Sequence, residues 1–140
     1  MTTHSTKGFP VIIELMAESI WSQEELAVFR ANAVYLRVKD QEMEKRRRET
    51  AWVAAHAAAD LLRQDFHASR VVAFGSLVRD GSFTRWSDVD IAAWGIDSKD
   101  TLRAIGAVMD MEMGIDVNLV DVATATPALM ESIMSEGVEL

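Results

Sequence analysis

The spacing of apolar positions changes character along the chain. Between residues 24 and 69 there is neither glycine nor proline, and apolar side chains recur every three or four positions. Leu26, Phe29, Ala33 and Leu36 form one such series; Trp52, Ala55, Ala59, Leu62 and Phe66 form another. That period belongs to amphipathic helix. Ser22, followed three residues later by Glu25, reads as a capping box that starts the tract. Apolar periodicity fades from Lys39 to Glu42, so two helices are expected, with the second packed on a sheet.

Beyond Arg70 the apolar runs shorten and alternate with turn residues, predicting strands at Val71 to Phe74, Asp88 to Trp94 and Ile115 to Asp121. A helix is expected from Ser98 to Met111, capped by Asp97 or Ser98 and stopped by Gly114. Thr126-Pro127 reads as a cap with proline at the first helical position, and Gly137 as the end of that closing helix. The expected class is α/β in the broad sense (α+β), a small mixed sheet with helices on one side. Residues 1–66 would be a tail and helical arm, and 67–140 the core.

Composition narrows the function. The chain has 140 residues and a net charge of −8, too acidic to grip a nucleic-acid backbone through clustered Lys and Arg. The one basic run, Lys45 to Arg48, is flanked by Glu42, Glu44 and Glu49 at helical pairing distances and reads as a solvated helix face. No cysteine is present, and no apolar run approaches the length of a membrane span. The polar start and the short apolar patch Phe9 to Met16 do not resemble a signal peptide, so a cytoplasmic location is expected. His4, His56 and His67 lack ligand-like spacing and are assigned no metal.

The chemistry gathers in the second half. Gly75-Ser76 leaves the apolar run Val71 to Phe74, and a glycine there lets the backbone turn sharply and approach another group closely. Asp88 and Asp90 stand one residue apart on a predicted strand, so both side chains leave the same face about 6–7 Å apart. Asp116 is the first charge in the apolar segment Ile115 to Val120. Carboxylates brought together repel unless cations compensate them, and Mg²⁺ prefers such hard oxygen ligands. Arg79 offers a planar fork suited to phosphate, and Trp86 is placed to border a nucleotide pocket.

This order of residues, apolar-Gly75-Ser76, a spacer, Asp88-Val89-Asp90-Ile91, then Ile115-Asp116-Val117, resembles the DNA polymerase β-like nucleotidyltransferase superfamily, and within it the minimal nucleotidyltransferase (MNT) domains. The likeness runs from Arg70 to Leu140. It implies a nucleotidyltransferase fold, Asp88, Asp90 and Asp116 as catalytic metal ligands for Mg²⁺, and Gly75, Ser76 and Arg79 as contacts to the phosphates of ATP or another NTP. It also implies transfer of a nucleoside monophosphate to a hydroxyl. The leading acceptor is a partner protein such as a helical HEPN-type toxin, with this chain as its antitoxin. A small aminoglycoside-like acceptor, which the acidic charge does not disfavour, and a non-catalytic binding module are the alternatives. The apolar surface of the arm is compatible with the HEPN partner or with a homodimer.

Overall fold

A computed structural model describes residues 20–140. The expectations for the tail before residue 20, including the Phe9 to Met16 patch and His4, lie outside the described residues. The described residues divide into two compact units, 20–43 and 44–140.

The first long helix, α1, runs unbroken over Gln23–Phe66. The capping box forms as expected: the Glu25 amide donates to Ser22 Oγ at 3.1 Å, and the Ser22 amide donates back to Glu25 Oε1 at 2.8 Å. The expected break near Lys39 to Glu42 does not occur. Loss of apolar periodicity removes a packing face, but it does not end a helix. The usual helix breakers are also absent, since 39–42 hold neither glycine nor proline.

Within the first unit Leu26 is buried and Trp21 packs edge-on against Phe29 with ring centroids 5.2 Å apart, while Val34, Tyr35, Leu36 and Val38 are exposed. Within the second, residues 44–66 of α1 bring Ala51, Ala54, Ala55, Ala58, Ala59, Leu62 and Phe66 into the main core. The alanine run is what lets a helix lie close on a sheet, since each leaves only a methyl group between backbone and strand.

After α1 come β1 (Arg70–Phe74), β2 (Val89–Trp94), α2 (Thr101–Met109), β3 (Val117–Asp121), α3 (Pro127–Glu136) and β4 (Val138–Glu139). The strands lie in the order β3-β2-β1-β4. β1 pairs antiparallel with β2 and with β4, whereas β2 and β3, joined through α2, are parallel. The sheet is therefore mixed, as expected. The sequence does not signal β4, because two residues are too short for any periodicity. It is tied to β1 by the Val72–Glu139 and Ala73–Val138 pairs and by a bond from Arg70 Nε to Glu139 Oε2 at 2.6 Å.

Alternation along the strands sorts side chains between two faces. Val71, Val89, Ile91, Ala93, Val117 and Leu119 face α1 and α2. Val72, Phe74 and Ala92 face a smaller cluster centred on Ile133 of α3. α1 and α2 thus share one side, but the closing helix covers the other. Its start follows the sequence signal: Thr126 Oγ1 accepts from the Leu129 amide at 3.2 Å, and Pro127 occupies the first helical position.

Candidate active site

The residues singled out from sequence fall on the α3 side of the sheet. Asp90 shares the strand alternation of Ala92, which faces α3, and Asp88 lies two residues earlier, just before β2 begins. In the parallel pair, Asp90 stands beside Asn118, and Asn118 Nδ2 reaches Asp90 Oδ1 at 3.4 Å. One step towards the strand starts, the Val89 amide donates to the Asp116 carbonyl at 3.0 Å, so Asp116 enters β3 level with the entry of Asp88 into β2. On the other side of Asp90 stands Phe74, the last residue of β1.

That register puts the glycine turn against the carboxylate. Gly75 has φ +79°, a left-handed conformation, and a Cβ built on it would lie 2.7 Å from Asp90 Oδ2. Glycine is required here twice over, once for the backbone angle and once for the space. A single 3₁₀ turn, Gly75–Leu77, then carries Ser76, whose hydroxyl makes no hydrogen bond among the described residues.

Asp90 is held above the ordinary carboxylate range, chiefly because burial penalises its charge and further because Asp88 lies near; the bond from Asn118 and the Arg79 charge pull the other way. The Asp88 and Asp116 side chains accept no hydrogen bond from described residues. Two neighbouring carboxylates short of donors, one half-buried and under-compensated, could hold a hard divalent cation. Mg²⁺ commonly takes one or two protein carboxylates and completes its shell with phosphate oxygens and water. Asp88 and Asp90 fit that pattern. Asp116, exposed at the start of β3, is not drawn into a group with them: among the described residues, no three His, Asp or Glu side chains stand together as a metal-holding cluster.

Two further residues enter that sequence reasoning missed. Glu136, at the end of α3, accepts from the Gly75 amide at 3.0 Å and from Arg79 through Nε at 3.0 Å and Nη2 at 3.2 Å. Its carboxyl is held below the ordinary range, first by the Arg79 hydrogen bonds, and Arg79 is correspondingly raised, first by its hydrogen bond to Glu136. Glu136 is 61 residues from Gly75 and 57 from Arg79, so no local pattern announces the contact. Arg47 of α1 donates from Nη2 to the Ser87 carbonyl at 3.0 Å, immediately before Asp88, while its Nε is buried without a partner. The Lys45 to Arg48 run is therefore not wholly a solvated face. Charge alternation had suggested one, but which of four adjacent basic residues turns inward is set by the helix phase against the sheet. Trp86, on the same turn, is 81% exposed, with the Arg85 guanidinium 5.3 Å from its ring centroid.

Among solved structures, this chain is similar to a mutant of the MntA–HpeT toxin–antitoxin complex, at 22% identity over 61% of this chain and 70% of that one, with a TM-score of 0.51. It is also similar to a protein named as a minimal nucleotidyltransferase, at 29% identity over 72% of this chain and 96% of that one, TM-score 0.48. A third match is an MNT antitoxin complex with a tri-AMPylated HEPN toxin of Shewanella oneidensis, at 20% identity over 64% and 70% of the two chains, TM-score 0.47. The first of these likenesses is one of fold: the described domain has the nucleotidyltransferase fold. No protein-family model matches the chain, and no curated protein matches it significantly. No helix among the described residues is long and apolar enough to cross a membrane.

Proposed function

We propose that this chain is a Mg²⁺-dependent nucleotidyltransferase that moves AMP, or another nucleoside monophosphate, from an NTP to a hydroxyl on a HEPN-type partner protein. The observation that carries the reading is the packing of the Gly75 turn directly on the Asp90 carboxylate, with Asp88 beside it on the same face. A phosphate-approaching turn and a carboxylate pair are the two things nucleotidyl transfer needs side by side, because the reaction asks a protein mainly for positioning and charge compensation. The nucleotidyltransferase fold supports the same reading, and the partner is carried over from the toxin–antitoxin complex that shares that fold.

In this mechanism Asp88 and Asp90 would hold the metal, and Asp116, at the head of β3, would accept the proton of the attacking hydroxyl. Bound Mg²⁺ would neutralise charge on the phosphates and lower the pKa of that hydroxyl. Ser76, with an uncommitted hydroxyl, and Arg79 bind the triphosphate and orient its leaving part. Asn118 keeps the Asp90 carboxylate turned towards the turn. Phosphorus exchanges one oxygen for another: the acceptor oxygen forms its bond to the α-phosphorus as the bond to pyrophosphate breaks.

A second reading is favoured by one observation, the absence of a three-ligand group among the described residues. On that reading the chain neutralises its partner by contact, and the carboxylates have no catalytic part. Incubating the purified chain with ATP labelled on the α-phosphate, Mg²⁺ and the protein encoded beside it separates the two. Label on the partner, lost with Asp90→Asn or with EDTA, is the outcome expected here. Inhibition of the partner without label would establish the contact reading instead, and label only on an added aminoglycoside would move the acceptor to a small molecule.

A further inference from the structure

Arg79 is gripped from the side. The two N–H groups it gives to Glu136 are on Nε and Nη2, which lie along one flank of the guanidinium plane. A guanidinium carries five N–H donors, so three remain, and two of them, one on each Nη, point outward together at the end of the fork. The same Glu136 carboxylate also accepts from the Gly75 amide. One acidic side chain therefore ties together the glycine turn and the arginine that sequence reasoning placed on the phosphates, and it leaves that arginine a free end with bidentate geometry for a phosphate.

Glu136 is itself well anchored. It closes α3, three residues after Ile133, which is buried against Val72 and Phe74 of β1. The next amide, Gly137, bonds back to the Ile133 carbonyl at 2.9 Å, and the following residues pair with β1 as β4. Its backbone is thus held on both sides by the sheet it serves. Arg79, by contrast, sits in a turn after the 3₁₀ segment and is 54% exposed. Without a partner, a long side chain in that position would sample many rotamers and surrender that freedom on binding an anion.

We propose that Glu136 is a positioning residue of the transfer reaction, holding the Gly75 turn and presenting the outer N–H donors of Arg79 to the triphosphate. This rests on the reading of the site as one that takes an NTP. The opposing possibility is that Glu136 occupies the anion's own seat and must leave when the triphosphate arrives. The two differ in sign: a positioning carboxylate helps nucleotide binding, whereas a competing one hinders it.

The test uses the full chain, with ATP analogue binding and AMP transfer to the partner measured for wild type, E136Q, R79A and the E136Q/R79A double variant. Glutamine keeps the length but has one acceptor oxygen, so it cannot hold both Nε and Nη2 of the fork. E136Q is expected to weaken nucleotide binding and raise KM for ATP roughly tenfold, the scale of ordering one long side chain, with kcat changed about threefold or less. In the R79A background E136Q should have almost no further effect, because the glutamine oxygen can still accept from the Gly75 amide and what the substitution loses passes through Arg79. A merely structural role would add the same penalty in both backgrounds. Tighter binding in E136Q, or equal penalties with and without Arg79, overturns the proposal. Should E136Q fold poorly, R79K decides with Glu136 intact: lysine cannot be gripped on one flank while offering a fork at its end, and an unchanged KM in R79K also overturns it. A wild-type chain that neither binds nor transfers nucleotide removes the functional reading and this inference together, whereas an active wild type with an indifferent E136Q removes only the inference.

Discussion

Replacing Gly75 with alanine interrogates the contact on which the site depends. The added Cβ would sit 2.7 Å from Asp90 Oδ2, while ordinary contacts begin near 3.4 Å, so the carboxylate must yield by about 0.7 Å (3.4 minus 2.7). Gly75 also has φ +79°, where an L-residue costs about 1–2 kcal/mol. Gly81 offers a matched control, with φ +72° and nothing within 4 Å of a built Cβ. Gly81→Ala should therefore lose only the backbone cost, about 1 kcal/mol, with transfer unchanged. Gly75→Ala adds steric overlap of the kind that costs about 1–3 kcal/mol in packed sites, for a total of about 2–4 kcal/mol. For a chain of this size a kilocalorie corresponds to about 3–4 °C in Tm, so the drop should be near 3 °C for Gly81→Ala and near 10 °C for Gly75→Ala. Asp90 can relieve some of the overlap by rotating, which trades stability for a displaced metal ligand and a transfer rate lowered by about 100-fold or more. Thermal melts and label transfer to the partner measure both quantities. If Gly75→Ala matched Gly81→Ala in Tm and kept wild-type transfer, the packing of the turn on Asp90 would be wrong, and the functional reading built on it would fall.

Asp90→Asn should abolish transfer yet raise Tm in EDTA. Because the folded-state pKa of Asp90 is raised, first by burial, its contribution is most favourable below the unfolded-state pKa and is lost as pH rises through the folded-state value. The advantage of the variant in melts should accordingly grow from about pH 3 to about pH 7, and a pH-independent difference would contradict the burial argument. Thr126→Ala removes the bond to the Leu129 amide and should cost about 1 kcal/mol, or about 3–4 °C, in calorimetry. Arg47→Met should lower Tm only modestly while raising the Mg²⁺ concentration needed for half-maximal transfer, since the Ser87 carbonyl it holds directly precedes Asp88. An unaltered Mg²⁺ requirement would confine Arg47 to a structural role.

Much of this protein was legible in its sequence because the governing forces are local. A capping box needs only Ser22 and Glu25 three residues apart, and a helix start only Thr126 and Pro127. The order Gly75-Ser76, Asp88, Asp90, Asp116 is likewise readable from the chain alone, and on it rests the proposed nucleotide site. What the sequence could not express was anything joining residues far apart. Glu136 meets Gly75 and Arg79 only because α3 crosses the face of β1, and Arg47 reaches Ser87 only because residues 44–66 of α1 lie on the sheet at one particular phase. The closing helix on the opposite face, the two-residue β4 and the unbroken α1 likewise answer to tertiary packing or to backbone propensity, not to apolar period. Local chemistry thus set the elements and named the carboxylates. The register of four strands decided which of those carboxylates meet the glycine turn, because hydrogen-bonded pairing across a sheet brings together residues that no spacing along the chain relates.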